Sequence, residues 1–126
     1  MGRSQLTLRA REEAMQWVNT AANPGGSLRV VLRGDIDFTN SGEVIRSIRA
    51  GAADATGPDI EVDLAEVTFL DSSGIAVLVR LLHLAEQRGG SLSLQRPTDK
   101  VRDQLYLAGL AELLGTSGGP PSWLGR

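Results

Sequence analysis

The chain has no cysteine, which excludes a disulfide scaffold, a thiolate nucleophile and any zinc site built on sulfur. Its single histidine excludes multi-histidine metal sites as well. Aromatic residues are only 4%, too few for a platform on which single-stranded nucleic acid stacks. An excess of one charge sign is also missing. Thirteen Lys and Arg face 15 Asp and Glu, a formal net charge of −2, so no direct nucleic-acid partner is expected. No apolar run approaches the ~20 residues of a bilayer-spanning helix. The most apolar stretch, Gly74 to Ala85, is broken by Arg80 and His83. The opening Met1-Gly2-Arg3-Ser4-Gln5-Leu6 lacks the apolar segment of a secretion signal, and Leu6 stands where a myristoylation signal needs Ser or Thr. The expectation is a cytoplasmic protein with no membrane partner.

What is present is an ordinary globular composition: 126 residues, 41% hydrophobic and 22% charged, enough for one core. Residues 14–116 are expected to form the domain, with 1–13 an N-terminal extension and the Gly/Pro/Ser-rich residues 117–126 a loose tail. Leu6, Leu8 and Ala10 alternate like a short strand, though Arg11–Met15 could equally open a helical turn. Trp17-Val18 leads through Asn23-Pro24-Gly25-Gly26 to Ser27–Arg33, which predicts a hairpin. Asn40 and Glu43 have capping-box spacing before the stripe Val44, Ile45, Ile48. Asp59–Leu64 reads as a strand, and Val67–Leu70 as an apolar approach to a loop.

Ser72 is the expected N-cap of a helix running to about Arg88 and ended by Gly89-Gly90. Ile75, Leu78, Val79, Leu82 and Ala85 form its apolar face, while Ser73, Arg80, His83 and Gln87 form a polar stripe. Val77, Leu81 and Leu84 widen the apolar face, so they either line a partner surface or lie under a neighbouring helix. Ser91–Gln95 alternates like a strand, and Pro97-Thr98 opens a last helix that Gly109 caps, with Leu110 packing back. Strands alternating with helices predict an α/β domain. Its mixed sheet has an opening hairpin and parallel crossovers, covered by helices.

Three chemistries are open to these residues. A Ser-His-Asp hydrolase would need His83 near Ser72. Eleven residues along one helix separate them by about 16 Å, at ~1.5 Å per residue, and neither serine sits in a G-x-S-x-G elbow. Asp35, Asp37 and Asp71 lie at or near strand ends that converge in α/β sheets, where carboxylates can hold Mg²⁺ or simply cap and solvate. Ser72, at a strand-to-helix turn, is either a plain cap or an acceptor of phosphate. A phosphate there would meet a helix N-terminus and add about −1.5 to −2 charge beside Asp71.

The string Glu61-Val62-Asp63-Leu64-Ala65-Glu66-Val67-Thr68-Phe69-Leu70-Asp71-Ser72-Ser73-Gly74-Ile75-Ala76-Val77-Leu78 resembles the central signature of the STAS domain. More narrowly, it resembles the bacterial anti-sigma factor antagonists. Gly34-Asp35-Ile36-Asp37, Gly89-Gly90 with Ser91–Leu94, and Leu107-Ala108-Gly109-Leu110 agree with that family in order and spacing, over about Ser27 to Gly115. The resemblance implies a binding module, not an enzyme, with no cofactor or metal. Its partner would be an anti-sigma factor, a serine kinase of the GHKL type, whose capture frees a sigma factor. Phosphorylation of Ser72 would stop binding, and a PP2C-type phosphatase would restore it. Asp37, Asp71, Ser72, Ser73 and Gly74 correspond to the partner-binding motif. The alternative is a STAS scaffold without a switch, or a nucleotide-binding module. Oligomeric state is left open. Thr116–Arg126 does not supply the further helix common in the family.

Overall fold

A computed structural model describes residues 15–114. Strand β1 (Val18–Ala22) turns back antiparallel onto β2 (Leu28–Ile36), with Val18 opposite Leu32 and Ala22 opposite Leu28. Asn23 secures the predicted hairpin turn. Its amide donates to Ser27 Oγ at 2.8 Å and to Glu61 Oε1 at 2.9 Å. Helix α1 (Ser41–Ala52) then leads to β3 (Ile60–Leu70), parallel to β2, and α2 (Ser72–Gln87) leads to β4 (Leu92–Gln95), parallel to β3. Helix α3 (Asp99–Leu107) and a short 3₁₀ turn at Ala111–Leu113 follow. The sheet order is β1-β2-β3-β4. This is the mixed α/β sheet the alternation predicted. The possible strand or helical turn over Leu6–Ala14, the extension 1–13 and the tail 117–126 lie outside the described residues. Among the described residues no helix is long and apolar enough to cross a membrane.

The core lies between the sheet and its helices. Leu28, Val30, Leu32 and Ile36 of β2 meet Ile60, Val62, Leu64 and Val67 of β3. Val44 and Ile48 of α1 and Leu78 and Ala85 of α2 close over them. Each fully buried aliphatic side chain contributes about 1.5–3 kcal/mol against exposure. Val77 and Leu81 are also buried and line the seam with α1. The wide apolar face therefore serves packing, and the partner surface suggested for them falls away. Leu84 alone stays half-buried. Helix α2 ends as expected. Gly89 takes φ +79, its N–H donates to Glu86 O at 3.0 Å, and Gly90 N–H donates to Ala85 O at 2.9 Å. At Gly109, Leu110 N–H likewise donates to Leu105 O at 2.9 Å, and Leu110 is buried.

One strand differs from expectation. β3 continues through Val67–Leu70 rather than stopping at Leu64. Two register shifts against β2, between Val31 and Arg33 and between Gly34 and Asp35, each insert an extra residue on β3. Each insertion resets the period of two, so Leu64, Val67 and Leu70 are buried at intervals of three. Asp63 sits at the first irregularity with its side chain 5% exposed. It accepts from Ala65 N–H at 2.9 Å and from Arg29 at 2.9 Å, and it pairs with Arg96.

Burial alone pushes the Asp63 carboxyl up. The Arg96 hydrogen bond, the Ala65 N–H and the charges of Arg96 and Arg29 outweigh it and hold the group below its ordinary 3.8. A lowered folded value stabilises the protein above the unfolded value, and that stability is lost as pH falls through the folded one. Asp63→Asn is expected to cost about 1–3 kcal/mol at neutral pH. It should also flatten the loss of stability below about pH 4. Urea midpoints for both proteins, measured from neutral pH downward, check this. Parallel curves would remove Asp63 from the acid response.

Candidate functional site

Ile36 and Leu70, the last residues of β2 and β3, are register partners, so the loops that follow them emerge side by side. Gln104 of α3 clasps the second strand end. Its amide donates to Leu70 O at 2.8 Å and accepts from Leu70 N–H at 3.2 Å. This fixes the point from which Asp71 departs.

Asp71, in extended conformation, is the N-cap of α2 and accepts from Gly74 N–H at 2.9 Å through Oδ1. Its Oδ2 accepts from Phe38 N–H at 3.2 Å, so one carboxylate staples the two loops together. The cap expected at Ser72 therefore sits one residue earlier. Asp and Ser cap almost equally well, and Asp71 alone also reaches Phe38. Ser72 becomes the first helical residue. It is exposed, and its hydroxyl is not needed for capping.

The first loop closes on itself. Asp37 accepts from Thr39 N–H at 2.9 Å and from the Thr39 hydroxyl. These bonds, the hydroxyl foremost, hold the Asp37 carboxyl below its ordinary 3.8. Asn40 is buried. Its Oδ1 accepts from Asp37 N–H at 2.9 Å and its Nδ2 donates to Asp35 O at 2.8 Å. The expected capping box at Asn40 is thus absent, and no side-chain bond caps α1. Asn40 spends its amide on the preceding turn, which buries it.

The geometry brings Asp37, Asp71 and Ser72 to one edge, joined through Phe38. Ser73 is half-buried and turns toward the seam with α1. Gly74 is buried beneath the edge, packed against the Ile36 carbonyl and Leu70. Asp35 is engaged elsewhere, accepting from the Thr68 hydroxyl. Among the described residues no group of three or more metal-ligating side chains gathers, so the Mg²⁺ alternative has no geometric basis in this loop pair. His83 shares α2 with Ser72 but lies 11 residues along it, about 16 Å at ~1.5 Å per residue. The site thus offers a hydroxyl with no histidine base beside it.

Phe38 was not foreseen. It is 78% exposed, and its backbone N–H donates to Asp71, so an apolar ring stands on an acidic edge. The available signal was a lone aromatic inside the polar run Asp37-Phe38-Thr39-Asn40. Leu107, 76% exposed, and Phe69, with Lys100 Nζ 4.9 Å from its ring centroid, are further apolar groups at the surface.

A family profile described as "Mlab, STAS domain" matches residues 19–115. The anti-sigma-B factor antagonist of Bacillus subtilis (strain 168) is 28% identical over 90 residues, covering 71% of this chain and 81% of that protein. Among solved structures, the anti-sigma factor antagonist SpoIIAA in its unphosphorylated form has a TM-score of 0.67 at 18% identity, over 77% of this chain and 84% of that one. The Bacillus cell fate determinant SpoIIAA in the phosphorylated form has a TM-score of 0.61 at 18% identity, over 77% and 87%. At these identities the two structures share the fold.

Proposed function

Because the chain belongs to the STAS domain family, whose profile spans residues 19–115, we propose that it is an anti-sigma factor antagonist switched by phosphorylation of Ser72. It captures a cognate anti-sigma factor, a serine kinase of the GHKL type, and so frees a sigma factor. A PP2C-type phosphatase restores the unmodified form. The observation that carries this reading is the position of Ser72: exposed, at the first residue of α2, with Asp71 taking the cap. The similarity to the anti-sigma-B factor antagonist supports the role, and Phe38 with Asp37 and Asp71 supplies the edge on which a partner docks.

The chemistry asks little of this chain. The Ser72 oxygen attacks the γ-phosphorus of ATP held by the partner. The new O–P bond forms as the bond to the β-phosphate oxygen breaks. ADP leaves, and the hydroxyl proton passes to a base of the partner. The phosphate then lies against the positive end of α2, which tolerates it. The fold survives while the edge gains about −1.5 to −2 charge.

Incubation of the full chain with a GHKL-type kinase that binds it, plus ATP, is expected to add one phosphate. Mass spectrometry should locate it on Ser72 and find none in Ser72→Ala. An unchanged mass, or phosphate on Ser73 alone, would overturn the switch and leave a scaffold.

A further inference from the structure

We propose that the groove between α1 and α2 is a docking slot for an acidic segment of a partner protein. Two lobes of about 580 and 420 Å³ share Ile45, Arg49 and Arg80, so they form one continuous groove. It begins beside Ser73 and follows α2 to Arg88. That is 88 − 73 = 15 residues, about 22 Å at ~1.5 Å per residue.

The lining is one-signed. Arg46, Arg49 and Arg80 are exposed around it, with His83 on the same wall. No Asp or Glu lines either lobe. Among the described residues, none of these three arginines joins an ion pair. Arg88 differs, because its guanidinium donates to the carbonyls of Ala52, Ala55 and Gly57 and belongs to the fold. In a chain of net charge −2, this groove gathers uncompensated positive charge.

The occupant follows from that chemistry. Guanidinium forks match carboxylates in paired hydrogen bonds. No Phe, Tyr or Trp lines the groove, so it lacks the row of large aromatic rings on which successive bases stack. Its length exceeds what a single small anion fills. Between the arginines, half-buried Leu84 leaves an apolar spot over the buried packing of the seam, where an aliphatic residue set between acids can rest. A polypeptide carrying Glu or Asp with interspersed aliphatic residues satisfies all of these features. The inference does not depend on the Ser72 switch, and its test involves no kinase.

The probe is a fluorescein-labelled peptide of Glu-Glu-Leu repeats, titrated with the full chain and followed by anisotropy. Binding is expected at low salt and should weaken about tenfold as ionic strength approaches 0.15 M. Arg80→Glu should weaken it at least about tenfold, while Lys100→Glu, an equal charge change on α3, leaves it within about twofold. Arg49→Gln should repeat the loss with a smaller charge change, and thermal melts confirm that each variant folds. Equal effects of Arg80→Glu and Lys100→Glu would overturn the slot, because net charge alone would then explain binding. So would tighter, Arg80-dependent binding of a labelled oligonucleotide of matched charge, or no peptide binding at low salt.

Discussion

Phosphorylation of Ser72 is expected to weaken binding to the anti-sigma partner at least about a hundredfold, with Ser72→Ala staying within about threefold of the unmodified protein. The reason lies in the geometry of phosphoryl transfer. A kinase that phosphorylates Ser72 must bring the γ-phosphate of its ATP against the Ser72 oxygen. The docked complex therefore sets nucleotide phosphates opposite this residue. Once Ser72 carries a phosphate, it faces the ADP β-phosphate, and like charges in a desolvated interface cost several kcal/mol. About 2.7 kcal/mol already corresponds to a hundredfold. The neighbouring acids give no relief: Asp37 is a carboxylate, ionised at neutral pH, that Thr39 holds lower still, and Asp71 is committed to Gly74 and Phe38. Ser72→Asp adds one charge without the phosphate's bulk, so about tenfold weakening is expected. Calorimetry on the four forms (unmodified, phosphorylated, Ser72→Ala and Ser72→Asp) with the ADP-bound kinase decides it. Equal affinities for modified and unmodified chains would sink the switch, whatever the phosphorylation map shows.

Much of this arrangement was legible in the sequence, for identifiable physical reasons. Helices α2 and α3 carry apolar periodicity and glycine-terminated ends, which are local signals, and the hairpin has its own turn residues. The order of elements then dictated a mixed sheet. The Asp71–Gly74 string marks the strand-to-helix turn at which α2 opens. What escaped depends on contacts between distant segments. The cap of α2 passed to Asp71 because Phe38, 33 residues earlier, offers it a second N–H. The amide of Asn40 closes a turn on Asp35 and Asp37 instead of capping α1. The end of β3 lost its alternation to two register shifts that only pairing with β2 creates. In the sequence Arg80 is one member of a polar stripe, and nothing in either helix alone says that it shares a groove with Arg46 and Arg49.

The same dependence on a distant contact makes one glycine decisive, and Gly74→Ala should be the most damaging conservative change at this edge. On an isolated helix, Gly to Ala stabilises by about 0.5–1 kcal/mol. At Gly42, in the first turn of α1, that expectation holds: a Cβ would meet only the Arg46 guanidinium, at 3.5 Å, and that side chain can move. Gly42→Ala is expected to raise stability by a few tenths to about 1 kcal/mol. At Gly74 a Cβ would come well within 3.0 Å of the Ile36 carbonyl oxygen, and lie 3.0 Å from Leu70 Cδ2. The carbonyl is backbone, held in the β2–β3 pairing, and cannot turn away. Relief requires α2 to lift from the strand ends, which strains the Asp71–Gly74 cap and the staple to Phe38. Overpacking of this kind costs about 1–3 kcal/mol, and losing the cap adds about 1 kcal/mol. Urea unfolding of the two variants should therefore shift the midpoint in opposite directions, up for Gly42→Ala and down for Gly74→Ala. Any Gly74→Ala protein that remains folded should also bind the anti-sigma partner less tightly, although position 74 is buried. A midpoint that rises for both variants would show that the approach of α2 to Ile36 is loose, and that the edge is not held in the geometry on which docking depends.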